Sequence, residues 1–229
     1  MGVCEGCHSG CCRSFAVPIT GADILTIMQG QNLSFWDFVC RWADPEGIIA
    51  LKHAPHFYFR DDPATPYVIC LMHRESKQFS GTTRCQFLQE QAPTADNSRG
   101  TAQCGIYHER PMACRVFPTK LHSAGDLAIL YDAPAYGRDG HEIYKLCPRD
   151  WEKSDIDPVR QLQDLIVARY EMQFFQQLAD SWNRQPEPWQ LFPDFLKLVY
   201  ENRVQYADEE REQAVVDEPP QVIPMRRAA

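Results

Sequence analysis

Four of the ten cysteines fall within nine residues: Cys4, Cys7, Cys11 and Cys12. Thiols packed this closely are either oxidised to disulfides or neutralised by a metal. Cys4-Glu5-Gly6-Cys7 has the two-residue gap that lets two sulfurs turn toward one ion. Cys11 and Cys12 are adjacent, and disulfide geometry is hard to reach across one peptide bond. The spacing therefore points to metal ligation.

A second set follows at wide spacing: Cys85, Cys104, Cys114 and Cys147. Arg110-Pro111-Met112-Ala113-Cys114-Arg115 reads as a short helical turn started by Pro111, with Cys114 on its inner face. Cys147-Pro148 is arranged like a cluster-ligating cysteine of ferredoxins. Four close and four distant thiols make eight candidate ligands, and the distant ones would close long loops onto the N-terminal loop. Cys40 and Cys70 sit in the apolar runs Phe38–Trp42 and Tyr67–Leu71 and read as small core residues. His8 is expected as a donor to a ligand sulfur, with His108 a weaker candidate. Arg13, Arg110 and Arg115 flank ligand cysteines and would offset the negative charge of a thiolate-bound centre.

Two metal chemistries remain open. Structural zinc favours paired CxxC units, and this chain has only one. Scattered single cysteines, one followed by proline, suit a [4Fe–4S] cluster, which is the favoured choice. Eight thiolates also allow two four-coordinate zinc ions, with Cys11 and Cys12 serving different ions.

The chain of 229 residues is 44% apolar, enough for a sizeable core. A net charge of -8 and a pI near 5.4 argue against a general nucleic-acid binder. No apolar run has the length of a membrane span. Met1-Gly2-Val3-Cys4 matches neither a signal peptide nor a myristoylation pattern, so the expected compartment is the cytosol, where thiols stay reduced. No G-x-G-x-x-G follows a strand, H-E-x-x-H is absent, and no methyl-donor site is recognisable. A metal ion or cluster is thus the expected partner, with a protein partner at the aromatic C-terminal helices as a further option.

These ligands need positioning elements. Thr20-Gly21-Ala22-Asp23 opens a short helix, and Ser34 reads as the N-cap of a second one carrying Phe35, Phe38, Val39 and Trp42. Phe57–Phe59, Tyr67–Leu71 and Leu127–Tyr131 read as strands, with a polar loop over 92–102. Asp157-Pro158 starts a long helix to about Arg184 that should bury Leu162, Leu165, Ile166, Met172, Phe175, Leu178 and Trp182. Pro193 starts another. The expected fold is α+β: a compact, loop-rich cysteine domain over 1–150, covered by a helical extension over 151–207 that packs on it. A tail over 208–229, acidic and then proline-rich, reads as disordered.

Cys4-x-x-Cys7…Cys11-Cys12, then Cys85-Gln86-Phe87-Leu88, then Cys104-Gly105-Ile106-Tyr107-His108-Glu109-Arg110-Pro111-Met112-Ala113-Cys114-Arg115-Val116-Phe117-Pro118 resembles the CxxCxxCC (YkgJ-like) family of zinc- or iron-chelating cysteine-cluster domains. The last element matches the family pattern nearly throughout, and the resemblance spans about residues 4–148. One departure stands out: three residues, His8, Ser9 and Gly10, separate Cys7 from the pair, where the family has two. The resemblance implies metal binding. A flagellin lysine methylase carries a related cluster, so an iron–sulfur methyltransferase activity is also implied as an alternative.

Overall fold

The computed structural model describes residues 6–50, 53–122, 129–131, 137–147 and 153–217. Cys4, Leu127, Ala128 and Pro148 lie outside them. The fold is α+β, and it forms two compact units, 1–189 and 190–229. The first unit includes the long helix expected to start at Asp157-Pro158.

The core of the first unit is a three-stranded antiparallel sheet, β1 (Val39–Ala43), β3 (Asp62–Leu71) and β2 (Phe57–Phe59), in the order β1-β3-β2. The last four residues of β3, Val68 to Leu71, are all buried, as in a strand covered on both faces. Residues 17–19 are stitched to β3 as well: Ile19 N–H donates to Ile69 C=O at 3.0 Å and Leu71 N–H to Val17 C=O at 2.9 Å. The cysteine loop is thereby anchored to the core just after it ends.

Ser34 does cap a helical turn, sharing a capping box with Asp37, but the turn stops at Asp37. Val39 to Ala43, expected to continue as helix, form β1 instead. Their β-branched and aromatic side chains suit a pleated edge, and pairing with the buried end of β3 outweighs helical periodicity. Cys40 and Cys70 face each other across this pair and pack with Val68 and Ala54.

Helix α2 (Gly21–Gln31) is capped as the sequence implies. Thr20 Oγ1 and the Asp23 carboxylate form a reciprocal capping box, and Asn32 closes the helix in the left-handed region at φ 51°. Three hairpins follow: β4 (His73–Glu75) with β5 (Thr83–Cys85), β6 (Leu88–Glu90) with β7 (Ala102–Cys104), and β8 (Thr119–Leu121) with β9 (Ile129–Tyr131). Two other short helices, α1 (Cys11–Ser14) and α3 (Met112–Val116), carry cysteines.

Helix α4 (Pro158–Arg184) begins as expected, with Asp157 Oδ1 accepting Val159 N–H and Arg160 N–H. Its two ends are clamped. Gln161 Nε2 donates to Val116 C=O and Thr119 Oγ1, while Trp182 Nε1 donates to Tyr58 C=O at 2.8 Å. Phe175 stacks at 5.1 Å from Phe57. The buried stripe is Gln161, Leu165, Phe175, Leu178, Ala179 and Trp182. Ile166, expected in it, is 46% exposed because it lies about 100° around the helix from Leu165. The second unit carries α5 (Phe192–Asp217), which holds Pro193 in its first turn and runs past Asp208, where the sequence reads as disordered. Among the described residues, no helix is long and apolar enough to cross a membrane.

Asp44, just after β1, organises the turn that follows. Its carboxylate accepts Ala50 N–H at 2.9 Å, Ile49 N–H at 3.2 Å and His56 Nε2 at 3.0 Å. Burial pushes its pKa up, but these donors outweigh burial and hold it below the ordinary 3.8. A carboxylate depressed in the folded state stabilises fully above its unfolded pKa, and that contribution fades as pH falls through the folded value. Asp44→Asn should therefore lose stability near neutral pH. Its urea midpoint should also fall less steeply than the parent's between about pH 5 and pH 3.

Candidate metal centre

The first loop is held in place residue by residue. Ser9, at φ 56°, turns the chain so that its N–H points at Cys7 Sγ, 3.3 Å away. Its hydroxyl donates to Ala102 C=O at 2.9 Å, and Ala102 N–H returns to Cys7 C=O at 2.9 Å, which docks the loop on β7. The next turn becomes α1, which presents Cys11 and Cys12 against β5.

Residues 137–147 are laid along the same loop. His8 Nε2 meets Lys145 C=O at 2.6 Å, and Ser14 Oγ donates to Tyr144 C=O at 2.7 Å. His8 is buried, which depresses its pKa and keeps the ring neutral, so Nε2 carries the proton it donates. The expected sulfur donor is therefore a tether instead: it brings the Cys147 segment to the first loop. Gly10 makes this approach possible, since a Cβ there would fall 1.8 Å from Lys145 O.

Five of the expected cysteines, Cys7, Cys12, Cys85, Cys104 and Cys114, lie near enough to Cys11 for its charge to act on them. Burial raises the thiol pKa of Cys7, Cys104 and Cys114, and that of Cys85 to about 11; the charge of Cys11 adds to each. Cys147 acts likewise on Cys7. Cys12 donates to Cys11, which lowers the Cys11 pKa against burial, and Arg110 lowers it further. The same bond, then burial, lifts Cys12 well above the ordinary range. Cys7, Cys85 and Cys104 share a second feature. For each, the backbone N–H two residues on, of Ser9, Phe87 or Ile106, favours the thiolate, and the Ser9 N–H lies in hydrogen-bonding geometry 3.3 Å from Cys7 Sγ.

Cys40 and Cys70 are apart from this group. The Cys40 thiol donates to the Cys70 and Leu71 carbonyls, both at 3.6 Å, and burial alone pushes its pKa up to about 11. Both behave as core thiols.

The three arginines divide. Arg110 stacks on Tyr107, 4.2 Å from the ring centre, and its charge favours the thiolates of Cys11 and Cys104. Arg115 donates to the Arg110 and His108 carbonyls, and so shapes the turn ahead of Cys114. Arg13 is buried and bound to Glu90 Oε1 at 2.6 Å, so its guanidinium is committed to a carboxylate rather than turned to sulfur. Two charged residues escaped the sequence reading. Arg84 beside Cys85 lowers that thiol's pKa, and Glu90 lies within ion-pair distance of both Arg13 and Arg84. Adjacency to Cys85 was a signal for Arg84; nothing in the sequence marks Glu90.

Among the described residues, no three histidine, cysteine or carboxylate side chains stand in ready coordinating geometry. The donor set nevertheless fits a thiophilic metal. Several half-buried thiols crowd together, Cys7 Sγ already accepts an N–H bond, and the charge of Arg110 favours nearby thiolates. The class this defines is a cysteine-cluster metal-chelating domain. The CxxCxxCC family model, described as "Putative zinc- or iron-chelating domain", matches residues 3–137, and the chain belongs to that family. Cys147 lies beyond the matched span. No curated protein and no solved structure matches the chain.

Gly10→Ala should force the Lys145 carbonyl away and detach the 137–147 segment. We expect a loss of stability by urea denaturation of several kcal/mol, on the order of an overpacked core site, with faster proteolysis at 137–147.

Proposed function

We propose that this chain binds metal through Cys4, Cys7, Cys11, Cys12, Cys85, Cys104, Cys114 and Cys147, and that the centre is a [4Fe–4S] cluster with a structural or electron-carrying role. The observation that carries this reading is that Cys7, Cys12, Cys85, Cys104 and Cys114, from separate segments, all lie close enough to Cys11 for its charge to act on them, with Ser9 N–H donating to Cys7 Sγ at 3.3 Å. Cys4 joins the set through its CxxC spacing to Cys7. A bound iron–sulfur cluster supplies one-electron transfer. The protein's part is to bury the sulfurs, donate the Ser9 N–H to Cys7 and set Arg110 against their charge. Such thiols fit a reducing compartment such as the cytosol.

One observation favours zinc as the second reading. The thiols form two neighbourhoods that share Cys11: Cys7 with Cys147, and Cys12 with Cys85, Cys104 and Cys114. Adding Cys4 to the first makes two sets of a size that suits two four-coordinate ions.

Protein purified without oxygen should contain iron and acid-labile sulfide and show a broad absorption shoulder near roughly 400 nm. Colourless protein with stoichiometric zinc would replace the cluster by zinc and leave the ligands standing. Fully folded protein without metal under reducing conditions would sink both.

Cys104→Ser and Cys114→Ser should each lose most of the metal and become protease-sensitive, while Cys40→Ser keeps its metal. Metal should be released as pH falls, because the ligands bind as thiolates.

A further inference from the structure

The Glu90 carboxylate is buried between two arginines that flank candidate ligands. Arg13 Nη1 lies 2.6 Å from Oε1. Arg84 Nε lies 2.9 Å from Oε2, close enough for an ion pair though not aligned for a hydrogen bond. Ser76 Oγ donates to Oε1 at 2.6 Å, and Lys77 N–H donates to Oε2 at 3.1 Å. The Glu90 side chain is 3% exposed and that of Arg13 1%.

Each arginine also grips the backbone of a cysteine segment. Arg13 Nε donates to His8 C=O inside the first loop, and Phe79 lies under its guanidinium at 5.3 Å. Arg84 Nη1 donates to Cys85 C=O at 3.0 Å, Gln86 C=O at 3.1 Å and Leu88 C=O at 2.9 Å. That wrap shapes the turn that follows Cys85. Glu90 itself lies in β6, whose Leu88 is paired with Cys104 of β7. A continuous polar chain therefore runs from the His8 carbonyl through Arg13, Glu90 and Arg84 to the Cys85 turn. It joins the segments that carry Cys7, Cys11, Cys12, Cys85 and Cys104.

We propose that Glu90 is the positioning residue of the metal centre, locking α1 and the β5–β6 turn in the register that brings their sulfurs to one site. This rests on the metal-binding reading above. The locking has a clear physical basis. A buried carboxylate that satisfies two buried guanidiniums cannot release either without leaving a charge unpaired in the interior, so the two segments move together or not at all. The triad carries one net positive charge, which suits anionic sulfurs nearby.

The test uses the full chain loaded with cobalt(II), whose thiolate charge-transfer intensity per bound ion reports how many sulfurs ligate. Glu90→Gln should weaken cobalt binding about tenfold or more in chelator competition, the size expected when a group supporting a ligand is lost, and reduce the charge-transfer intensity per ion. Ser76→Ala, which removes one hydrogen bond to Glu90, should shift both readouts in the same direction by less, and it decides the matter if Glu90→Gln does not fold. Glu187→Gln, which removes a surface ion pair to Arg60, should leave both unchanged. Unaltered or tighter cobalt binding in folded Glu90→Gln, at parental intensity per ion, would overturn the proposal, as would a parental Ser76→Ala if Glu90→Gln does not fold. That result would mean the triad acts on fold stability or charge alone. Failure of the parent chain itself to bind cobalt would instead remove the metal-binding reading on which the proposal stands.

Discussion

Thiolates repel one another, and this chain spends much of its first 147 residues bringing sulfurs together. Burial, together with the charge of neighbouring thiols, drives most of the clustered thiols to hold their protons. A crowded group of buried thiols is stable without metal only while protonated, and becomes a ligand set only when a cation replaces those protons. The arrangement of the surrounding elements follows from that constraint. Ser9 N–H is aimed at Cys7, and the charge of Arg110 favours the thiolates of Cys11 and Cys104.

Holding sulfurs from distant segments in one place also requires rigid attachment, because no regular element carries more than two of them. The attachments are mostly polar and mostly at chain level: Ser9 and Ala102 join the first loop to β7, and His8 and Ser14 join it to residues 144 and 145. Gln161 on α4 holds the C-terminal end of the Cys114 helix, and Asp23 on α2 accepts Met112 N–H at its start. Several of the sulfurs are only half-buried, within reach of an incoming ion.

Much of this was legible in the sequence because it depends on local chemistry. The capping box at Thr20, the Asp157-Pro158 helix start, the Phe57 and Tyr67 strands and the split between clustered and core cysteines all follow from residue type and short spacing. The β1 strand did not. Ser34 and Asp37 form a genuine cap, so the local signal was correct for one turn and was overruled by a partner strand about thirty residues away. Ile166 was misplaced for a similar reason: an apolar residue on a helix joins the buried stripe only if a neighbouring element faces it.

The sequence by itself marked the candidate ligands, since cysteine spacing and the long match around Cys104 and Cys114 are properties of the chain. Tertiary structure decided how the charges around them are shared. Arg13 and Arg110 are both next to candidate ligands or close to them along the chain, yet one is bound to a buried carboxylate and the other faces thiols. Glu90 is unremarkable in sequence and central in space. Burial and pairing of charged groups depend on segments far apart in the chain, and spacing along the chain carries no record of which guanidinium a carboxylate will meet.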